Sequence, residues 1–163
     1  LPIFPGHSGQ LTSIRLPNGL HALVIGARTH FYEGRGVSAV VHGVRTAAAA
    51  GCRAIVLTNG CGGLDPDRAP GTPVLISDHI NLTGANPLVG ARFIDMTEAY
   101  SKRLREVARG VDGSLTEGVY AQFHGPSFET PDCGGLLRTR TFVAATRTKD
   151  PHGEEHRVRA AAS

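Results

Sequence analysis

The sequence predicts an α/β protein with a mixed, largely parallel central sheet flanked by helices. Two changes of hydrophobic period carry that expectation. The apolar run from Leu20 to Gly26 gives way to Val37, Val40, Val41, Val44, Ala47 and Ala48 at helical spacing, and these to a second apolar run, Ala54 to Thr58. Strand, helix, strand in that order implies a right-handed crossover between parallel strands. A third observation is the alternation from Glu117 to Phe123, as expected of a further strand.

Taken in order, Leu1 to Pro5 is a short Pro-bounded lead and Gly6-His7-Ser8-Gly9 turns the chain. Leu11 to Leu16 alternates as a half-buried strand should. Pro17-Asn18-Gly19 forms a hairpin-like turn, because Asn-Gly reaches positive φ cheaply. Leu20 to Gly26 is expected as a buried strand, and Arg28-Thr29-His30-Phe31-Tyr32-Glu33-Gly34 as its exit. If the backbone stays extended there, Arg28, His30 and Tyr32 share a face: a fixed cation, a titratable donor and a phenol. That trio suits a phosphate beside a hydroxylated ligand; a solvated, polar strand end fits the same spacing.

A helix from Arg35 is expected to end at Gly51. After Ala54 to Thr58 comes Asn59-Gly60-Cys61-Gly62-Gly63, at the carboxyl end of the strand, where open α/β sheets collect ligands. Its glycines would let backbone N–H groups meet an anion; an ordinary Gly-rich turn is the other reading. Val74 to Ile76 is a strand running into Ser77-Asp78-His79-Ile80-Asn81-Leu82. Asp78 and His79 are assigned a structural role, since catalytic triads are assembled by the fold and not by adjacent residues. Asp95-Met96-Thr97-Glu98 resembles a capping box that opens a helix reaching Gly110. Lys102, Arg103, Arg105 and Arg109 are placed towards its end, where cations suit the dipole. Strand 117–123 leads into His124-Gly125-Pro126-Ser127-Phe128-Glu129-Thr130-Pro131. Phe128 could stack a heterocycle and Glu129 accept its ring N–H; equally, Phe128 could enter the core and Glu129 face water.

Beyond Pro131 neither period persists, so two regions are expected: an ordered 1–131 and a divergent, loosely ordered or frameshifted 132–163. Length and 40% apolar content allow one domain with a real core. No stretch reaches the length of a membrane span, and no cationic segment leads into an apolar signal core. Cys52, Cys61 and Cys133 make neither a metal-spaced pair nor a disulfide framework, so a cytoplasmic location is expected. The net charge of +3 comes from dispersed basic residues, which argues against a nucleic-acid platform.

Together these stretches resemble the trimeric class of purine nucleoside phosphorylases, in its actinobacterial form. The resemblance runs from about residue 6 to residue 131. It rests on Gly6 to Gly9, Arg28 to Gly34, Leu57 to Leu64, Leu75 to Leu82, Asn86-Pro87-Leu88, Glu117 to Tyr120 and Gly125 to Pro131, in family order. It implies the nucleoside phosphorylase fold and phosphorolysis of purine nucleosides in purine salvage, with inorganic phosphate as co-substrate and neither metal nor organic cofactor. It also implies a homotrimer with no nucleic-acid or membrane partner. By the same resemblance His7, Arg28, His30 and the Gly60 N–H hold phosphate, and Tyr32 contacts ribose. Cys61, Gly62, Tyr120, Phe128 and Glu129 line the purine pocket, with His30 and Glu129 as the catalytic pair. The family's Gly-Ser-Gly-type phosphate loop and its Gly-Met-Ser-Thr and Asn-bearing strands have no counterpart here. The expectation is therefore a chain short at both ends: an active phosphorylase, or a fragment that binds phosphate or purine weakly without turnover.

Overall fold

The computed structural model describes residues 9–127 and 129–130, and the backbone of 142–144 and 158–162. The chain divides into two compact units, residues 1–55 with 86–89, and residues 56–85 with 90–163.

The first unit opens with an antiparallel hairpin, β1 (Leu11–Arg15) and β2 (His21–Ile25), in register from Leu11 opposite Ile25 to Arg15 opposite His21. Its turn is closed by Gly19 N–H to Leu16 O at 2.9 Å and Leu16 N–H to Leu20 O at 2.8 Å. Only Gly19 adopts positive φ, +84°, so Pro17-Asn18-Gly19 is a three-residue loop and not the two-residue Asn-Gly form. The expected burial of Leu20 to Gly26 is corrected: Leu20, Val24 and Ile25 are exposed. A two-stranded ribbon has few neighbours to cover it. The expected crossover is corrected as well, because among the described residues β2 pairs with β1 in a two-stranded sheet of its own.

The expected single helix is two, α1 (Gly36–Val40) and α2 (His42–Ala49), divided at Val41. Its end matches expectation: Gly51 N–H bonds Ala48 O and Cys52 N–H bonds Ala47 O, each at 3.0 Å, the paired bonds of a Schellman cap. Ala47 is the buried residue of this face.

The second unit holds a five-stranded mixed sheet closed in the order β3-β6-β5-β4-β7. Its strands are β3 (Leu57–Gly63), β4 (Val74–Asn81), β5 (Thr116–Gln122), β6 (Phe142–Ala144) and β7 (Val158–Ala162). Pairs β4–β5, β5–β6 and β4–β7 are parallel, and β3 is antiparallel to β6 and β7. The strand expected at Ala54 to Thr58 thus begins at Leu57 and runs through the Gly-rich stretch expected as a loop. Pairing with β7 fixes that stretch as strand despite glycine's poor propensity. Strands β6 and β7 fall in the region expected to be loosely ordered, and the boundary at Pro131 lies outside the described residues.

Strands β4 and β5 are the centre of the sheet and pack on both faces, as parallel strands do. One face gathers Cys61, Val74 and Ile76 with Tyr100 and Tyr120 against them. The other gathers Ala121 with Leu64, Ile80, Val119 and Phe123. The β4–β5 register slips by one residue between Ile76 and Asp78, leaving Ser77 as a bulge whose hydroxyl donates to Gly118 O at 3.2 Å.

The helix expected from Asp95 starts later, as α3 (Lys102–Val111). Ser101 Oγ caps it by accepting Leu104 N–H at 3.3 Å, while Asp95 closes a local turn with Thr97. Lys102 and Arg103 therefore sit in its first turn, not near its end. Arg105 and Arg109 both reach Glu117 on β5.

Candidate functional site

The first unit presents the Arg28 to Gly34 stretch. His30 is extended (φ −90°, ψ 149°), but Phe31–Glu33 then winds into one 3₁₀ turn closed by Gly34 at φ +72°. This left-handed position favours glycine. The extended alternation of Arg28, His30 and Tyr32 thus stops at Phe31. The turn instead stacks the rings of His30 and Tyr32, centroids 5.1 Å apart and planes within 15°. Arg28 is exposed on the approach to the turn.

Glu33 fixes this arrangement. Its Oε1 accepts the His30 backbone N–H at 2.7 Å and lies 3.2 Å from His30 Nδ1, while Arg35 Nε stands 3.6 Å from Oε2. The His30 backbone bond, helped by the His30 ring and Arg35, holds the Glu33 carboxyl below its ordinary value. An ionised carboxylate only accepts, so Nδ1 carries the proton in this contact and the ring turns Nε2 away from Glu33. Glu33 was not among the sequence-derived site residues. Its signal was the His-x-x-Glu spacing before a glycine, a variant of the capping box.

In the second unit, Gly60, Cys61 and Gly62 lie inside β3, opposite Arg159, Val158 and Ala144. Cys61 is buried, and burial pushes its thiol up to about 12, so it stays protonated and apolar. Cys61 and Tyr120 are brought together on one face, Tyr120 packing on the Cys61, Val74 and Ile76 cluster. Glu129 is half-buried beyond His124 and Gly125. His7 and Phe128 lie outside the described residues.

Asp78 and His79, expected in a structural role, both make contacts within the protein. Asp78 Oδ1 accepts the His79 backbone N–H at 2.7 Å, and His79 Nδ1 meets Tyr100 Oη at 3.1 Å. Among the described residues no group of three His, Cys, Asp or Glu side chains could hold a metal ion, and no helix is long and apolar enough to cross a membrane.

The family model of the phosphorylase superfamily matches residues 1–146. The chain belongs to that superfamily. Among its relatives is a purine nucleoside phosphorylase of Cellulomonas, 59% identical over 134 residues, which cover 80% of this chain and 48% of the relative. Another, of Mycobacterium tuberculosis, is 55% identical over 139 residues, 85% of this chain and 51% of the relative. The chain thus spans about half the length of the curated relatives it matches. Among solved structures, a Schistosoma mansoni purine nucleoside phosphorylase in complex with adenosine superposes with a TM-score of 0.75 at 30% identity, over 98% of this chain and 65% of that one. The described residues therefore share the fold of that phosphorylase.

Proposed function

We propose that this phosphorylase-superfamily chain performs phosphorolysis of purine (deoxy)ribonucleosides such as inosine and guanosine, giving free base and (deoxy)ribose 1-phosphate. The observation that carries this reading is the 59% identity to a purine nucleoside phosphorylase over 134 residues. In the reaction a phosphate oxygen attacks the anomeric carbon as the glycosidic bond breaks, and the bonding pair leaves with the purine. The sugar passes through an oxocarbenium-like state, which the phosphate dianion stabilises. Phosphate is itself the nucleophile, so this chemistry calls for no metal or organic cofactor.

Within that reading His7, Arg28, His30 and the Gly60 N–H bind phosphate. The Glu33 contact supports the His30 assignment, since a ring held at Nδ1 presents Nε2 in a fixed direction. Tyr32, stacked on His30, contacts the ribose. Cys61, Gly62, Tyr120 and Phe128 enclose the base, and Glu129 accepts its ring N–H. Phe93, 96% exposed, and its exposed neighbours Ile94 and Met96 form a surface suited to burial against a second copy, in keeping with a homotrimer. A cytoplasmic enzyme of purine salvage completes the reading.

One observation favours a second reading, weak ligand binding without turnover: Gly60 and Cys61 are paired with β7 instead of standing on an open loop. Phosphate-dependent release of hypoxanthine from inosine separates the two. Turnover that requires phosphate and disappears in Glu129→Ala supports the phosphorylase. Soluble, folded protein without turnover refutes it.

A further inference from the structure

Tyr100 has no part in the chemistry above, yet it is held at both ends. Its ring packs on Cys61, Val74 and Ile76, the cluster against which Tyr120 also rests. Its hydroxyl meets His79 Nδ1 at 3.1 Å, the two rings edge to face with centroids 5.6 Å apart. Burial, with the Asp78 carboxylate adding to it, raises the phenol above its ordinary value, so Oη keeps its proton beside His79 Nδ1. At the backbone end, Arg105 Nη1 donates to Tyr100 O, and Arg105 Nε donates to Glu117 Oε1 at 2.8 Å.

Both attachments lead back to Tyr120. His79 is its register partner across the β4–β5 ladder, and Glu117 precedes it by three residues on the same strand. A hydroxyl in water needs no partner of this kind; a half-buried one fixes whatever packs on its ring.

We propose that Tyr100 is a positioning residue that sets the Cys61–Tyr120 floor of the purine pocket and thereby the affinity for the base. The inference rests on the reading that Cys61 and Tyr120 face the purine. It adds a residue outside those assigned to phosphate and ribose, so its effect should fall on the nucleoside and not on phosphate.

The test measures hypoxanthine binding by equilibrium dialysis, KM for inosine and for phosphate, and Tm. The proteins are wild type, Tyr100→Phe, His79→Leu and His79→Asn, the last keeping an acceptor near the place of Nδ1. Loss of the hydrogen bond in Tyr100→Phe and His79→Leu is expected to weaken hypoxanthine binding about fivefold and to raise KM for inosine, leaving KM for phosphate within about twofold. His79→Asn should recover most of the loss. Lower Tm with unchanged base affinity would show a merely structural bond and overturn the proposal. If Tyr100→Phe fails to fold, the contrast between His79→Leu and His79→Asn decides. Wild type that does not bind hypoxanthine would overturn the functional reading and the inference together. Wild type that binds, with variants of equal affinity, would overturn the inference alone.

Discussion

Replacing Glu117 with alanine should uncouple α3 from the central sheet. One oxygen, Oε1, receives Arg105 Nε at 2.8 Å and also Arg109 Nη2. The two bonds differ in worth because their surroundings differ. The Arg105 side chain is 13% exposed and Glu117 29%, so that pair is shielded; Arg109, at 40%, is largely in water. A charge-assisted bond of the first kind contributes about 1.5–3 kcal/mol, an exposed ion pair about 0–1 kcal/mol. Glu117→Ala should therefore cost about 2 kcal/mol, equivalent to a fall of about 4–8 °C in Tm for a chain of this size. Thermal unfolding followed by circular dichroism, in a double-mutant cycle with Arg105→Ala, measures the pair directly. A coupling energy of about 1–2 kcal/mol is expected. Losses that simply add, or a Tm within about 2 °C of wild type, would refute the assignment of α3 anchoring to this carboxylate.

Four further outcomes follow from the geometry. Glu33→Gln keeps the size of the side chain but removes the charge facing His30 Nδ1, and should raise KM for phosphate about tenfold while KM for inosine moves less than about twofold; an unchanged phosphate KM would deny Glu33 its positioning role. Because the Glu33 carboxyl is held below 4.5, its stabilising contribution is complete above that pH and lost as pH falls through the lowered value, so acid titration of stability should be flatter in Glu33→Gln. The Cys61 thiol, raised from 9.0 to about 12, has the opposite sign: its contribution is complete below 9 and lost as pH rises towards 12. Urea unfolding between pH 8 and 10 should show a steeper alkaline loss in wild type than in Cys61→Ala. Gly110→Ala places a methyl where nothing lies within 4 Å, inside α3, and should add about 0.5–1 kcal/mol by the same urea measurement; a loss would mean that the end of the helix is not helical in solution.

The sequence disclosed what local chemistry controls. The turn at Gly19, the helix stop at Gly51 and the apolar start of β4 all depend on residues close in the chain, and each stands where it was expected. Errors arose where distant partners decide. Asp95 and Ser101 are both good cap residues, and the choice between them depends on Arg105 and Arg109 reaching Glu117, which no local pattern contains. The stretch from Asn59 to Gly63 reads as a loop by composition, and only its pairing with other strands makes it part of β3. At the candidate site, His30 and Tyr32 were legible as a pair, but through the wrong geometry: a 3₁₀ turn stacks them where an extended chain was expected. Glu33 was visible as spacing yet silent as chemistry, because its role appears only once its oxygen meets Nδ1.

The slip at Ser77 decides which way half of β4 looks. Side chains alternate along a strand, so an unbroken β4 would place Val74 and Ile76 on one face and His79 on the other. One extra residue reverses the alternation, and His79, now opposite Tyr120, shares the face of Val74 and Ile76 where Tyr100 waits. Ser77 therefore acts as a phase shift in the strand. Its side chain can change with little consequence beyond one bond to Gly118 O, but its place outside the ladder cannot: a regular pairing of Ser77 with Val119 would set Asp78 opposite Tyr120 and turn His79 to the opposite side of the sheet.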